Sequence, residues 1–313
     1  MRFNKLDLNL LVALDAMLSL KSVSRAAEQL NLSQSAMSNA LARLREHFDD
    51  DLLVQVGRKM ELTPRAEGLQ DAVRDVLVRV DTTISAKPEF VPATSDREFR
   101  IFVSDYSMVT LMPHLLALAA QASHSVRFHF LPQQNQPQRL LDRGEADLLV
   151  IPKIYCSPDH PTEKLLDEDF CCIVWQDGQL ATPERSPAGR LTLDAYQGAG
   201  HVVFQPPGGA PSYEGTAMQR LGVTRRVEVA TFSFVGALSL VVGTDRIATV
   251  HRRLAGYGRQ FLPLKVLESP VALPPMNQVM QWHEYRTNDP GLVWLRALLL
   301  RAVAEMDGAD RKE

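Results

Sequence analysis

The sequence predicts the α/β class in two parts: a helix-turn-helix with a hairpin and a long helix, then two successive lobes of alternating strands and helices. Three observations predict it. Two short helical patterns in "SVSRAAEQLNLSQSAMSNALARLREHF", Ser22 to Phe48, are separated only by Asn31-Leu32-Ser33. A strand-turn-strand pattern and a heptad-spaced helix follow directly. From about residue 98, strand-like runs alternate with helical ones, the signature of βα layering.

Leu10, Ala13, Leu14, Met17 and Leu18 recur at helical spacing, so the opening segment is expected to be an amphipathic helix. The next helix starts near Ser22 or Ser24 and turns Ala26, Ala27 and Leu30 inward. Two adjacent alanines let another helix approach closely, as a tight crossing requires. Ser33 caps the third helix, its hydroxyl placed to accept a backbone N–H of the first turn. At about 100° per residue, Met37, Ala40, Leu41, Leu44 and Phe48 form one apolar stripe.

The opposite face carries Gln34, Ser35, Ser38, Asn39, Ala42 and Arg45, with Arg43 on its flank. A solvated helix face usually carries Glu and Lys; this one is short. Short donors and acceptors let a backbone approach a base edge, and Gln or Asn can bond adenine at two points. Lys21, Arg25, Arg43 and Arg45 stand where phosphates would be neutralised. Those residues, with Ser33, are the expected DNA-facing set. A plain three-helix domain with a polar surface is the competing reading.

Leu52 to Val56 and Met60 to Leu62 are strand-like around Gly57-Arg58-Lys59, a hairpin whose basic tip would be the wing of a winged helix. Arg58 joins the DNA-facing set on that ground. The acidic Asp49 to Asp51 reads as a surface turn. Thr63 caps and Pro64 opens a long helix. Ala66, Leu69, Val73, Val76 and Val80 lie along it at steps of three and four, with Ile84 beyond. That seam suits a partner helix from a second copy of the chain, or else packing on its own domain. A symmetric dimer would read an inverted repeat of double-stranded DNA.

Around "AKPEFVPATSDRE" the composition turns to Pro, Ser, Thr and Ala, as at a hinge. "FRIFVSDY", "SVRFHFLP" and "ADLLVIP" read as strands, with "MVTLMPHLLALAAQA" and "QPQRLLDRGE" as helices between them. A second unit with strand-like "FCCIVWQ", "HVVFQ", "RRVEVAT" and "RIATV" follows, then strand "QVMQWHEYR" and helix "DPGLVWLRALLLRAVAEM". Such alternation points to parallel α/β sheets.

The chain has 313 residues, 45% apolar and 23% charged, with net charge -3, as in an ordinary globular protein of two domains. The first 87 residues balance 12 basic against 12 acidic side chains, so bulk charge neither supports nor excludes DNA binding. No apolar run approaches the roughly 18 to 20 residues that span a bilayer. The opening "LDLNLLVALDAML" carries Asp7, Asn9 and Asp15, unlike a signal-peptide core. A cytoplasmic protein without membrane partner is expected. Cys156, Cys171 and Cys172 suit no zinc site by spacing; reduced thiols are expected, with a redox role as the alternative. No metal or cofactor is expected. GxSxG, a Walker loop, HExxH and a strand-borne GxGxxG are all missing, and "GAGHVVFQPPGGAP" spreads its glycines across a strand and a proline turn. An enzyme is not expected; an α/β enzyme with an added DNA-binding domain is the remote alternative.

The segments "LDLNLLVALDAML", "SVSRAAEQLNLSQSAMSNALARLREHF", "DDLLVQVGRKMELTPRAE", "RGEADLLVIP" and "VMQWHEYRTNDPGLVWLRALLL" resemble the LysR-type transcriptional regulators over nearly the full length. The opening "MRF..LDLNLLVALDAM" and "QWH...NDP..WLR" look like the branch with the nodulation activator NodD and the aromatic-degradation regulator NahR. One departure is Ser35, where the family usually has Pro; both suit a first helical turn, but a borrowed operator preference is put in doubt.

The resemblance implies a winged helix-turn-helix at 1–63, a linker and dimerisation helix at 64–87, a hinge at 88–97 and an effector-binding domain at 98–313. That domain would be two-lobed and periplasmic-binding-protein-like, lobe I being 98–168 with 274–306 and lobe II 169–273. It further implies tetramers, RNA polymerase as a partner, and a small-molecule effector, by analogy with the branch a planar phenolic or flavonoid-like one. A redox-responsive regulator of the same fold is the alternative. Ligands of such lobes bind in the cleft at the carboxyl ends of strands. Candidates there are Ser104, Asp105, Tyr106 and Pro152 in the first lobe, and His201, Phe204, Thr231 and Phe232 in the second. Trp282 and His283 stand on the returning strand. Core packing, a helix cap and structural histidines are the competing readings for these positions.

Overall fold

The computed structural model describes residues 7–57, 59–84, 89–209 and 211–310. They divide into two compact units, one within residues 1–87 and the other from residue 88 onward, apart from 142–145.

The first unit contains helices α1 (Leu8–Leu20), α2 (Val23–Gln29) and α3 (Gln34–Phe48), strands β1 (Leu53–Val56) and β2 (Lys59–Leu62), and helix α4 (Pro64–Ile84). Leu14, Met17, Met37, Leu44 and Leu52 are fully buried at its centre. β1 and β2 pair antiparallel with Val56 opposite Lys59, and Gly57 takes φ +64°, which a side chain would strain. Arg58 and residues 85–88 lie outside the described residues, as does the side chain of Ile84. Below the wing, Asp50 Oδ1 accepts from Leu52 N–H at 2.7 Å and Thr63 Oγ1 at 2.6 Å, while Thr63 caps α4 through Ala66 N–H at 3.1 Å. The acidic turn thus fastens the end of α3 to the start of α4.

In the second unit the chain runs β3 (Glu98–Phe102), α5 (Asp105–Thr110), α6 (Met112–Ala122), β4 (Arg127–Leu131), α7 (Gln138–Asp142), β5 (Leu148–Pro152) and β6 (Thr162–Glu168). It continues as β7 (Phe170–Trp175), α8 (Leu193–Gly198), β8 (Gly200–Phe204), α9 (Tyr213–Arg220), β9 (Arg226–Thr231) and α10 (Phe234–Ser239). Then come β10 (Arg246–His251), α11 (Arg252–Arg259), β11 (Leu264–Leu267), β12 (Met276–Gln281) and α12 (Pro290–Asp310).

Two sheets result, ordered β4-β3-β5-β12-β6 and β11-β7-β10-β8-β9. The chain leaves the first between Glu168 and Phe170, with one residue to spare, and returns from β11 to β12.

The sheets are mixed where the alternation predicts parallel ones. β3 runs parallel to β4 and β5, and β8 to β9 and β10. β12, by contrast, is antiparallel to β5 and β6, and β7 is antiparallel to β10 and β11. Strands that carry the chain out of a lobe and back lie side by side, so they oppose each other without a helical crossover. β6, TEKLLDE, is mostly polar and β11, LKVL, has only four residues, and the sequence pattern reveals neither. The single helix expected over "MVTLMPHLLALAAQA" is broken at Leu111, because Pro113 sits in the first turn of α6 and lacks the N–H that a continuous helix needs. In the first lobe, Phe99, Ile101, Leu148, Val150 and Met280 pack under Leu292, Leu295 and Leu299 of α12. Asp289 caps that helix through Leu292 N–H at 3.1 Å and accepts both nitrogens of Arg97.

Candidate functional site

α3 is held by its cap and its buried side. Ser33 is extended at the N-cap and its Oγ accepts Ala36 N–H at 3.1 Å; the same oxygen lies 3.0 Å from Ser35 Oγ. Ala26 and Ala27 of α2 are buried, as are Met37, Leu41 and Leu44 of α3. Gln34, Ser35, Ser38, Asn39, Ala42 and Arg43 are left exposed. One strip of small, hydrogen-bonding side chains therefore faces outward from a rigid helix.

Arg45 departs from the expected phosphate-facing set. Its Nε donates to Asp51 O and its Nη2 to Leu53 O, each at 2.8 Å, so the guanidinium splices α3 to β1. Lys21 lies in an ion pair with Glu61 of β2 at 2.9 Å, which holds the Glu61 carboxyl below its ordinary pKa. Arg25 donates to Leu20 O at the end of α1. Arg43 has no such intramolecular bond among the described residues.

On α4 the heptad positions separate. Ala66 and Val73 are buried in the core of their own unit, with Leu69 packed against it, because α1 lies along this part of α4. Arg74 reinforces that seam through Asp15 at 2.7 Å; burial raises the Asp15 pKa and Arg74 opposes the rise. The own-domain alternative thus accounts for Ala66, Leu69 and Val73. Val76 remains 41% exposed, and Val80 is half-buried.

Between the two lobes lies a cavity of about 320 Å³, at the carboxyl ends of β3, β5, β8 and β10. Ser104, Tyr106, Pro152 and Phe204 line it. Tyr155, Phe170, Tyr213, Phe234, His251 and Gln278 also line it and were not singled out from sequence. His251 ends β10 just before a helix, the position by which Ser104 is found, so the same rule reaches it. Gln278 is one of three amide residues in β12, with Asn277 and Gln281, and nothing in that strand's pattern marks it out. The amide run Gln133 to Gln138 after β4 completes the rim.

Aromatic rings form the walls. The His251 ring stacks on Tyr106 at 4.2 Å, with Phe234 edge-on at 4.9 Å, and Phe204 stacks on Phe234 at 3.6 Å. Burial lowers the His251 pKa to about 3, so the imidazole is neutral at neutral pH. Glu214, also on the wall, is gripped by both guanidinium nitrogens of Arg225.

Asp105 stands beside this cavity and joins the lobes. Its Oδ2 accepts Ser233 Oγ–H at 2.6 Å and Val235 N–H at 3.1 Å. A second bridge runs from Tyr106 OH to Glu168 at 2.6 Å, from Glu168 to Arg253 at 2.6 Å, and on to Asp307 at 2.7 Å.

The other candidates lie elsewhere. His201 is fully buried, its Nε2 2.7 Å from Tyr196 O, and burial lowers its pKa to about 4. Thr231 Oγ1 accepts Ser233 N–H in a turn, and Phe232 is 82% exposed. Trp282 belongs to the first lobe's core beneath the Arg296 guanidinium, and His283 caps a short 3₁₀ turn through Tyr285 N–H. Burial pushes the Cys156 thiol up to about 11, and Cys171 and Cys172 up to about 12. Such thiols are protonated at neutral pH and are poor nucleophiles. No described helix is long and apolar enough to cross a membrane.

Residues 8–67 match the family model of the bacterial regulatory helix-turn-helix protein, lysR family, and residues 93–304 match that of the LysR substrate binding domain. The chain is 39% identical over 308 residues to Nodulation protein D 1 of Sinorhizobium fredii, covering 98% of this chain and 94% of that protein. It is 37% identical to Nodulation protein D 1 of Bradyrhizobium elkanii, covering 100% of this chain and 98% of that one. Among solved structures, a probable transcriptional regulator from Pseudomonas aeruginosa superposes with TM-score 0.64 at 27% identity, covering 95% of this chain and 97% of its own. A full-length OxyR variant from the same organism superposes with TM-score 0.72 over 95% of this chain and 94% of its own; at 15% identity that likeness is one of fold.

Proposed function

The chain belongs to the LysR family of bacterial regulatory helix-turn-helix proteins, and from that premise we propose how its two units divide the work of a DNA-binding transcriptional regulator that answers to a small-molecule effector. Residues 1–63 read DNA, 64–87 link and dimerise, and 98–313 bind the effector. Gln34, Ser35, Ser38 and Asn39 meet base edges in the major groove, while Arg43 neutralises phosphate. The observation that carries this reading is the exposed short polar strip on α3, set against a buried stripe and an N-terminal cap. Arg25 presents positive charge on α2, Lys21 at the end of α1 is offset by Glu61, and Arg45 acts by holding the wing to the recognition helix.

The protein acts in the cytoplasm as a dimer, and as tetramers bending DNA between paired half-sites of an inverted repeat, with RNA polymerase as the downstream partner. Val76 and Val80 are the seam residues left to a partner helix. Val76→Glu is expected to shift the sedimentation of the purified protein from dimer to monomer; an intact dimer removes the seam.

The cavity between the lobes takes a planar aromatic effector against the Phe204 and Phe234 rings. Effector prefers one closure of the lobes and so biases the arrangement of the DNA-binding dimers. The high thiol pKa values weigh against a redox trigger. The test is retardation of genomic fragments by purified protein at low ionic strength, with bend angle measured with and without an aromatic that raises its melting temperature. No retarded fragment sinks the DNA reading, and equal bend angles sink the closure mechanism.

A further inference from the structure

α5 belongs to the first lobe by its place in the chain, directly after β3, but its side chains are spent on the second. Tyr106, 2% exposed, is buried with Ile173, Val202, Ala237 and Val250 of the second lobe, and Val109 packs against the same cluster. Asp105 adds its two bonds to the start of α10. One bond pulls the other way, from Gln278 Nε2 of β12 to Ser107 Oγ at 2.8 Å. A buried aromatic ring and a carboxylate holding two donors outweigh a single hydrogen bond between neutral groups.

The change of core falls at a break in the helix. Leu111, Met112 and Leu115 are buried with Ile101, Leu148 and Leu295 of the first lobe. α5 ends at Thr110 and α6 begins at Met112, so Leu111 is where the chain passes back. Pro113 keeps the break, since it offers no N–H to the carbonyl of Val109. A cavity of about 470 Å³, with Val109, Thr110, Arg253 and Met306 in its wall, lies beside this joint and leaves it room to move. Hinges are commonly a few residues at the ends of elements.

We infer that α5 is a third mechanical connection between the lobes, besides the two strand crossings: a bolt that travels with the second lobe and pivots at Leu111. Tyr106 then moves with His251 and Phe234 as one side of the cavity between the lobes, while Phe102 and Pro152 move with the other. Displacement of the second lobe reaches α6, which packs along α12, through this joint. The inference rests on the lobes moving against each other, as the proposed function holds.

The test is hydrogen exchange of the full-length protein, read by mass spectrometry, with no ligand added. Two matched variants each remove one methylene from a fully buried isoleucine: Ile101→Val in the first lobe and Ile247→Val in the second. Ile101 is much the nearer to α5 in sequence. Even so, Ile247→Val is expected to speed exchange of the α5 amides Met108 to Thr110 about fivefold and to leave α6 unchanged. Ile101→Val should do the reverse. If α5 is unmoved by Ile247→Val, or moved by Ile101→Val, the bolt is overturned; if α6 responds to Ile247→Val, the pivot is. Pro113→Ala restores the missing N–H and lets the two helices fuse. In that background Ile247→Val should speed α6 as well as α5, and a silent α6 would also remove the pivot. The isoleucine pair decides the bolt whether or not the proline variant folds. Because no ligand is used, failure here leaves the effector reading standing, and equal bend angles in the retardation test leave the exchange result standing.

Discussion

On the outward strip of α3, Gln34, Ser38 and Asn39 make no side-chain hydrogen bond among the described residues, and the helix is held by Ser33 and by its buried stripe. In the cavity between the lobes the polar groups have a second duty. Tyr106 lines the wall and also donates to Glu168, Gln278 donates to Ser107, and Glu214 is salt-bridged to Arg225. In the proposed reading, recognition and stability are therefore carried by different residues on α3 and by the same residues in the cavity. Substitutions on the helix face should separate affinity from folding; substitutions in the cavity should move both.

The sharpest way to break that contrast is to compare Leu44→Ala with Asn39→Ala. The first removes a fully buried side chain and is expected to cost about 2–5 kcal/mol of stability in urea melts. The second should leave stability within about 0.5 kcal/mol and change the selected-site profile. An unchanged profile would mean that the strip does not read bases.

Next in size is the pair of arginines. Arg45→Ala removes two bonds to backbone carbonyls and is expected to cost about 1–3 kcal/mol while loosening the wing. Arg43→Ala should leave the melt alone and lower the log–log salt slope of DNA binding by about one. The reverse outcome would exchange their roles.

Within the second unit, Asp105→Ala removes both bonds to the start of α10 and should cost about 1–3 kcal/mol together with a loss of effector affinity. Affinity lost at unchanged melting temperature would show that polar groups beside the cavity are as separable as those on α3.

A gentler probe is pH. His251 and His201 fold with pKa values lowered by burial to about 3 and about 4, against 6.5 for the free side chain. Below about pH 6.5 the unfolded chain binds these protons and the folded chain does not. Their stabilising share is thus complete above pH 6.5 and is lost progressively as pH falls toward 4 and then 3. Melts of the second unit should fall over that window, and His201→Gln should flatten the slope; an unchanged slope would place the acid sensitivity elsewhere. The smallest effect is the cap: Ser33→Ala is expected to cost about 1 kcal/mol, seen as a lower melting midpoint of the first unit.

What was legible follows from distance along the chain. The α3 stripe, its cap and its short outward face are written within sixteen residues, and helical geometry alone arranges them. The strand ends at Ser104, Tyr106, Pro152 and Phe204 were legible for a similar reason, since a strand followed by a turn marks its own carboxyl end. Phe170, Phe234, His251 and Gln278 stand on separate strands and helices, and only the passage of the chain between sheets at Asp169 and again before β12 brings them to one wall. Nor did the sequence show the bonds of Arg45, because its carbonyl partners belong to the turn at Asp51 and to β1, whose positions no wheel contains.

By itself, then, the sequence determined what one element's periodicity can specify in the first unit: which side of α1, α2 and α3 is buried, where α3 and α4 are capped, and that an α/β region follows. Tertiary structure alone decided which heptad positions of α4 are spent on α1, which strands run antiparallel, and which residues share one cavity wall. The physical reason is that burial and hydrogen-bond satisfaction are properties of neighbours in space. A chain that crosses twice between two sheets makes neighbours of residues more than a hundred positions apart.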